Sequence, residues 1–164
     1  MNALWSYFWP LFAAGLVSGG IGASIAFRRR KTRAFAAGLA VALTAAALWH
    51  GPLGGADRLT ARVERAARLA LDHYEMTRVR ARLHHGPLTR ALILKGPADD
   101  FQRSELVRLM SQVPGVSHAR WSDGAAGLPL LAEGLGAAFL GFLVGVLLAY
   151  LVELRRRYNS QWNW

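Results

Sequence analysis

Leu4 to Phe27 reads LWSYFWPLFAAGLVSGGIGASIAF, and RRRKTR follows at 28–33. No Asp, Glu, Lys or Arg occurs in residues 1–27. A bilayer core takes a helix of about 20 apolar residues, so this stretch predicts a membrane span. A cleaved secretory leader carries its positive charge ahead of the apolar core. Here Arg28, Arg29, Arg30, Lys31 and Arg33 come after it. The segment therefore reads as a retained helix with its N-terminus outside.

Two further stretches follow the same rule. Residues 34–56 and 134–152 also lack charged side chains, predicting spans over Ala34–Trp49 and from Leu130 to Leu154. The second is short and alanine-rich, so it is expected to need neighbouring helices. The chain of 164 residues has Lys+Arg 20 against Asp+Glu 10, with 53% hydrophobic residues. With 1–50 and 128–164 assigned to the spans and their flanks, residues 51–127 remain to fold in water. That excludes a large catalytic domain. The lack of cysteine excludes disulfides, thiolate catalysis and cysteine-ligated metal or iron–sulfur sites. The net charge of +10 sits largely in two short runs beside apolar segments, so it reads as a topology signal rather than a nucleic-acid surface.

Short loops rich in Lys and Arg stay cytoplasmic. The loop 28–33 is one such run, and Arg155, Arg156 and Arg157 after the third span are the other. Two spans separate them, so they lie on one side. The predicted topology in a bacterial inner membrane is N-terminus out, 28–33 in, 51–127 periplasmic and C-terminus in. Aromatic rings agree. Trp5, Trp9 and Trp49 fall at outer ends, and Tyr150, Tyr158, Trp162 and Trp164 at the inner end, the headgroup level that amphipathic rings favour. Trp162 and Trp164 lie beyond the basic stop and also fit docking on a partner.

Small residues mark where helices pack. Gly15, Gly19 and Ala23 recur at spacing four beside Ser18 and Gly22, and Gly141 with Gly145 forms GxxxG. Such faces let helix backbones approach closely, within this chain or against another. Glu133 and Glu153 fall at the two ends of the third span, where interface depth fits a structural role.

Within 51–127 the hydrophobic period changes twice. Asp57 is read as an N-cap, with Leu59, Val63, Ala66, Ala67, Ala70 and Tyr74 on one helical face and Arg58, Arg62, Arg65 and Arg68 opposite. Residues 77–83, TRVRARL, alternate strictly and read as a strand with Arg78, Arg80 and Arg82 on one side. His84-His85-Gly86-Pro87 reads as a turn, and Thr89–Lys95 as a second strand. Asp99 with Gln102 is a capping-box variant opening a helix with Leu106, Leu109, Met110 and Val113 on its apolar face. Pro114-Gly115 stops it, and Val116–Trp121 reads as a third strand. The predicted fold is a membrane protein of three transmembrane α-helices plus a small α+β domain in the order αββαβ.

Residues 57–121 resemble a BON domain, a small module of bacterial envelope proteins. The matching parts are the leading helix, the strand ALILKG with Gly96 at the family's glycine position, and the helix closed by VPGV at Val113–Val116. The resemblance implies a periplasmic, non-enzymatic binding module similar to those that contact phospholipid surfaces or partner proteins. Gly96 is expected to let the chain leave its strand sharply, and Gly115 to take positive φ after the helix.

No motif carries catalysis. The five histidines offer no metal-ligand spacing, and SGGIG at 18–22 lies inside a span, where it cannot serve as a phosphate loop. The expectation is no enzyme, no metal, no cofactor, no nucleic acid and no small-molecule substrate. Partners are then membrane lipids, other transmembrane proteins or a second copy. Two functions fit: a structural, assembly or accessory subunit of a respiratory, photosynthetic or secretion complex, or a membrane-tethered phospholipid-binding module of envelope maintenance. For the basic faces of 51–127, simple solvation and binding of lipid or an acidic partner both fit.

Overall fold

The computed structural model describes residues 3–121 and 127–160. The chain is mostly helical with one small sheet: α1 (Ala3–Arg29), α2 (Arg33–His50), α3 (Gly55–His73), β1 (Arg80–His85), β2 (Leu88–Lys95), α4 (Asp100–Met110), β3 (His118–Arg120) and α5 (Leu130–Ser160). It divides into two units, Met1–Tyr7 with Gly54–Glu133, and Phe8–Leu53 with Gly134–Trp164. Among the described residues, α1, α2 and α5 are the helices long and apolar enough to cross a membrane.

In the helical unit, contacts follow the small residues. A methyl group added at Gly15 would lie 2.0 Å from the Ala138 carbonyl oxygen, and one at Gly141 would lie 2.1 Å from that of Phe12. One turn on, Gly19 meets Phe142 and Gly145 meets Leu16 in the same way. Positions rise together along both helices, so α1 and α5 run parallel. Gly22 faces Ala34 and Gly38 faces Ser18, an opposite order that makes α1 and α2 an antiparallel hairpin. The Ser18 hydroxyl donates to the Gly15 carbonyl at 3.0 Å, so a polar group at the contact is satisfied within its own helix. Outward, Val17, Ile21, Leu140, Leu147 and Leu151 are exposed.

Beyond the predicted span, which ends at Leu154, α5 continues through the arginines to Ser160. Glu153 pairs with Arg157 at 3.2 Å and Arg156 at 3.8 Å. These i,i+3 and i,i+4 pairs, with cations at a helix C-terminus, favour the added turns.

In the other unit, two starting points and one helical face differ from the sequence reading. Asp57 is not the cap of α3. Gly54, in left-handed conformation at φ 69°, precedes the helix, and Asp57 sits in its first turn. Gly55 and Ala56 are buried, so packing draws the helix start inward. The buried stripe is Ala56, Leu59, Val63, Ala67 and Leu71. Ala66 and Ala70 lie at its margin and Tyr74 is exposed, because the helix stops at His73 and Tyr74 caps it. Finally, β1 begins at Arg80 rather than Thr77 and runs through His84 and His85. The turn is only Gly86-Pro87, joined by a cis peptide bond.

β1 pairs antiparallel with β2, and β2 pairs parallel with β3. Leu83 lies opposite Leu92 and Ala81 opposite Leu94; Leu83, Leu92 and Leu94 are buried. α4 opens on the expected capping box. Asp99 Oδ1 accepts from the Gln102 amide at 2.7 Å, and Gln102 Oε1 accepts from the Asp99 amide at 3.2 Å. Its Leu106 and Met110 are buried and Leu109 half-buried. Gly96 and Gly115 both take positive φ, 145° and 106°. A side chain at Gly96 would meet the Arg78 carbonyl oxygen at 2.7 Å, and one at Gly115 would meet Val63 at 2.6 Å.

A candidate anion-binding sheet face

Strand alternation places cations together. Residues two apart on a strand share a face, so Arg80 and Arg82 project from the same side of β1. Pairing register extends the pattern. Arg80 lies opposite Lys95, while Arg82, Ile93 and Arg120 form one row across all three strands. No carboxylate occurs in residues 80–95 or 118–120. Like charges directly opposite each other on a sheet are destabilising.

The face has a floor as well as charge. Arg80, Arg82, His84, His85 and Lys95 surround a shallow cleft of about 520 Å³ that also touches Leu83 and Ile93. Ile93 is only 5% exposed, and its neighbours across the sheet are Arg82 on β1 and Arg120 on β3. Long arginine stems can cover an apolar residue while their guanidinium heads stay in water. The two histidines are oriented by the backbone. His84 Nδ1 donates to the Pro87 carbonyl at 2.9 Å and His85 Nδ1 to that of Leu83 at 2.7 Å. With Nδ1 as donor, the neutral ring leaves Nε2 as an acceptor, and only a charged imidazole would offer an anion a donor there.

The other arginines expected on binding faces divide. Arg78 does not share the row. It sits in the turn before β1 and lines a separate cleft with Glu75 and Asp99. On α3, Arg58, Arg62 and Arg65 are exposed, and Arg62 donates to the Ser6 hydroxyl in the first turn of α1. Arg68 is turned to structure. It pairs with Asp72 and donates to the Val79 carbonyl at 3.1 Å, holding the segment that leads into β1. Arg90, unnoticed in the sequence, makes a two-pronged pair with Glu133 at 2.7 and 3.2 Å.

Lys95 and Arg120 are the members of the cationic face that the sequence reading missed. Lys95 could have been found from its parity with Ile93. Arg120 could not, because it joins only through the parallel pairing of β2 with β3.

Of the helix-packing residues, Gly15, Gly19, Gly22, Gly141 and Gly145 meet backbone of this same chain, and Ser18 lies beside Gly38. Trp5 and Trp9 are about half exposed and Trp49 is half-buried. Trp162 and Trp164 lie outside the described residues. Among the described residues, no three His, Asp or Glu side chains gather in a way that could hold a metal ion. Compared with known proteins, the chain matches no family model, no curated protein and no solved structure.

Proposed function

We propose that this is a non-enzymatic integral membrane protein whose α+β unit binds the anionic headgroups of phospholipids. The observation that carries the reading is the cleft that Arg80, Arg82 and Lys95 form around Ile93, on strands whose own residues include no carboxylate. The αββαβ order, with glycine turns at Gly96 and Gly115, supports the BON resemblance of residues 57–121 and with it a lipid-contacting role. α1, α2 and α5 are then the spans, in a bacterial inner membrane. The parallel run of α1 and α5 brings 28–33 and 155–157 to one end of the helical unit, as the topology with those runs cytoplasmic and 51–127 periplasmic requires. Only residues 51–54 separate α2 from α3.

Each cation near an anionic surface contributes about 1 kcal/mol. The test is co-flotation of the full chain, held in zwitterionic nanodiscs, with vesicles containing phosphatidylglycerol. Arg80→Gln with Arg82→Gln and Lys95→Gln should weaken binding about 100-fold, and salt near 1 M should abolish the difference. Equal binding by the triple variant would sink the reading.

A second reading, an accessory subunit of a larger membrane complex, is favoured by Leu69 and Phe101, 66% and 76% exposed on helices of the α+β unit. Stoichiometric co-purification from native membranes, lost in Phe101→Ser, would move the assignment there.

A further inference from the structure

We propose a second lipid site: the cleft between the α1–α2 connection and the last turns of α5 binds the phosphodiester headgroup of an anionic membrane lipid. This inference rests on the membrane-spanning reading of the helices, and it is independent of the sheet face. The cleft, about 580 Å³, is lined by Phe27, Arg28, Arg30, Glu153, Arg156 and Arg157. Two basic runs from opposite ends of the chain meet there because α1 and α5 run parallel.

Charge in the cleft is unbalanced. Four guanidinium groups face one carboxylate, and Glu153, whose side chain is 18% exposed, is already shared by Arg156 and Arg157. Arg28 and Arg30 have no ion-pair partner among the described residues. A topology signal needs only that cations lie on one side; it does not need them gathered around one cleft, where they repel. Guanidinium forks match the oxygens of a phosphate two at a time, so a phosphodiester supplies the missing negative charge.

The surroundings select a lipid over a free anion. Phe27 closes the inner wall, with Phe35 and Tyr150 edge-on to its ring at 5.4 and 6.0 Å. One to two turns deeper, Ile25, Leu148 and Val152 are exposed apolar side chains. An amphiphile covers both parts, with its phosphate on the arginines and its acyl chain along the helices. Basic pockets between spans on the cytoplasmic side hold diphosphate lipid headgroups in this way.

The full chain is extracted in mild detergent from alkali-washed membranes, and native mass spectrometry counts retained phospholipid. It is then titrated with diphosphatidylglycerol, with phosphatidylcholine and with inorganic phosphate. The expected result is one anionic phospholipid held per chain, with no competition from phosphatidylcholine. Arg28→Gln with Arg156→Gln should weaken retention about 30-fold, and the remaining arginines in both runs keep the topology signal. Glu153→Gln, which removes only the competing carboxylate, should tighten it. Undiminished retention in the double arginine variant, weaker retention in Glu153→Gln, or displacement by equimolar inorganic phosphate would each overturn the site. A chain absent from the alkali-washed membranes would overturn the membrane reading itself, which separates the two failures.

Discussion

The two units solve packing by opposite means. The α+β unit buries Leu59, Leu71, Leu92, Leu94 and Met110, large side chains whose removal from water drives folding. The helical unit brings α1 and α5 together at Gly15, Gly19, Gly141 and Gly145, where side chains are missing and backbones touch. Apolar residues cover both the inside and the outside of those helices, so burial of apolar area gives no preference for packing inward. Close approach and dispersion take its place. Mass is what stabilises one unit, and its absence is what shapes the other.

Subtracting mass is the strongest way to break that contrast. Leu92→Ala leaves a cavity beneath the sheet and should cost about 2–5 kcal/mol. The same change at Leu147, exposed on α5, should cost under about 1 kcal/mol, since its side chain leaves no internal void. Denaturant unfolding of the full chain in detergent, followed by hydrogen exchange resolved to each unit, reads both. A large loss at Leu147 would mean that this face is covered.

Adding mass should reverse the order. Gly141→Ala puts a methyl group 2.1 Å from the Phe12 carbonyl oxygen, and backbone on both sides must move. Overpacking of this kind costs about 1–3 kcal/mol. Gly136→Ala, on the same helix with nothing within 4 Å of the new methyl, should be neutral or stabilising by about 0.5–1 kcal/mol, as alanine is in a helix. Thermal unfolding in detergent compares the pair. A neutral Gly141→Ala would show that the α1–α5 contact contributes little to the fold.

The same contrast explains what could be read in the sequence. Apolar runs, the two basic stops and the Asp99–Gln102 box are local signals, and the helices and α4 appear where those signals put them. Boundaries set by tertiary contact were not legible. The start of α3 depends on burial of Gly55 and Ala56, and the span of β1 on its pairing with β2. The glycine faces were visible as patterns, but whether they met this chain or another was not encoded in spacing. For the sheet face, Arg80 and Arg82 could be seen from alternation. The opposition of Arg80 to Lys95 and the row through Ile93 to Arg120 required the register, which depends on pairing between distant segments.

Helix ends give the smallest and most local version of the comparison. Asp99 caps α4 through both bonds of a capping box, in a unit where the helix end meets water. Thr32 precedes α2 and makes no capping bond through its side chain. Its neighbours are the basic connection and a helix whose place is set by Gly22 and Gly38. Asp99→Ala should therefore cost about 1 kcal/mol, and Thr32→Ala no more than about 0.5 kcal/mol. Gln102→Ala tests the reciprocal half of the box and should cost less than Asp99→Ala, because the Asp99 bond to the Gln102 amide survives it. Hydrogen exchange at the first turn of each helix is the measurement. Faster exchange at Phe101–Arg103 in Asp99→Ala, with α2 unchanged in Thr32→Ala, would place capping among the determinants of the α+β unit only. Equal fraying in both would mean that the helical unit depends on its polar ends as much as on its glycines.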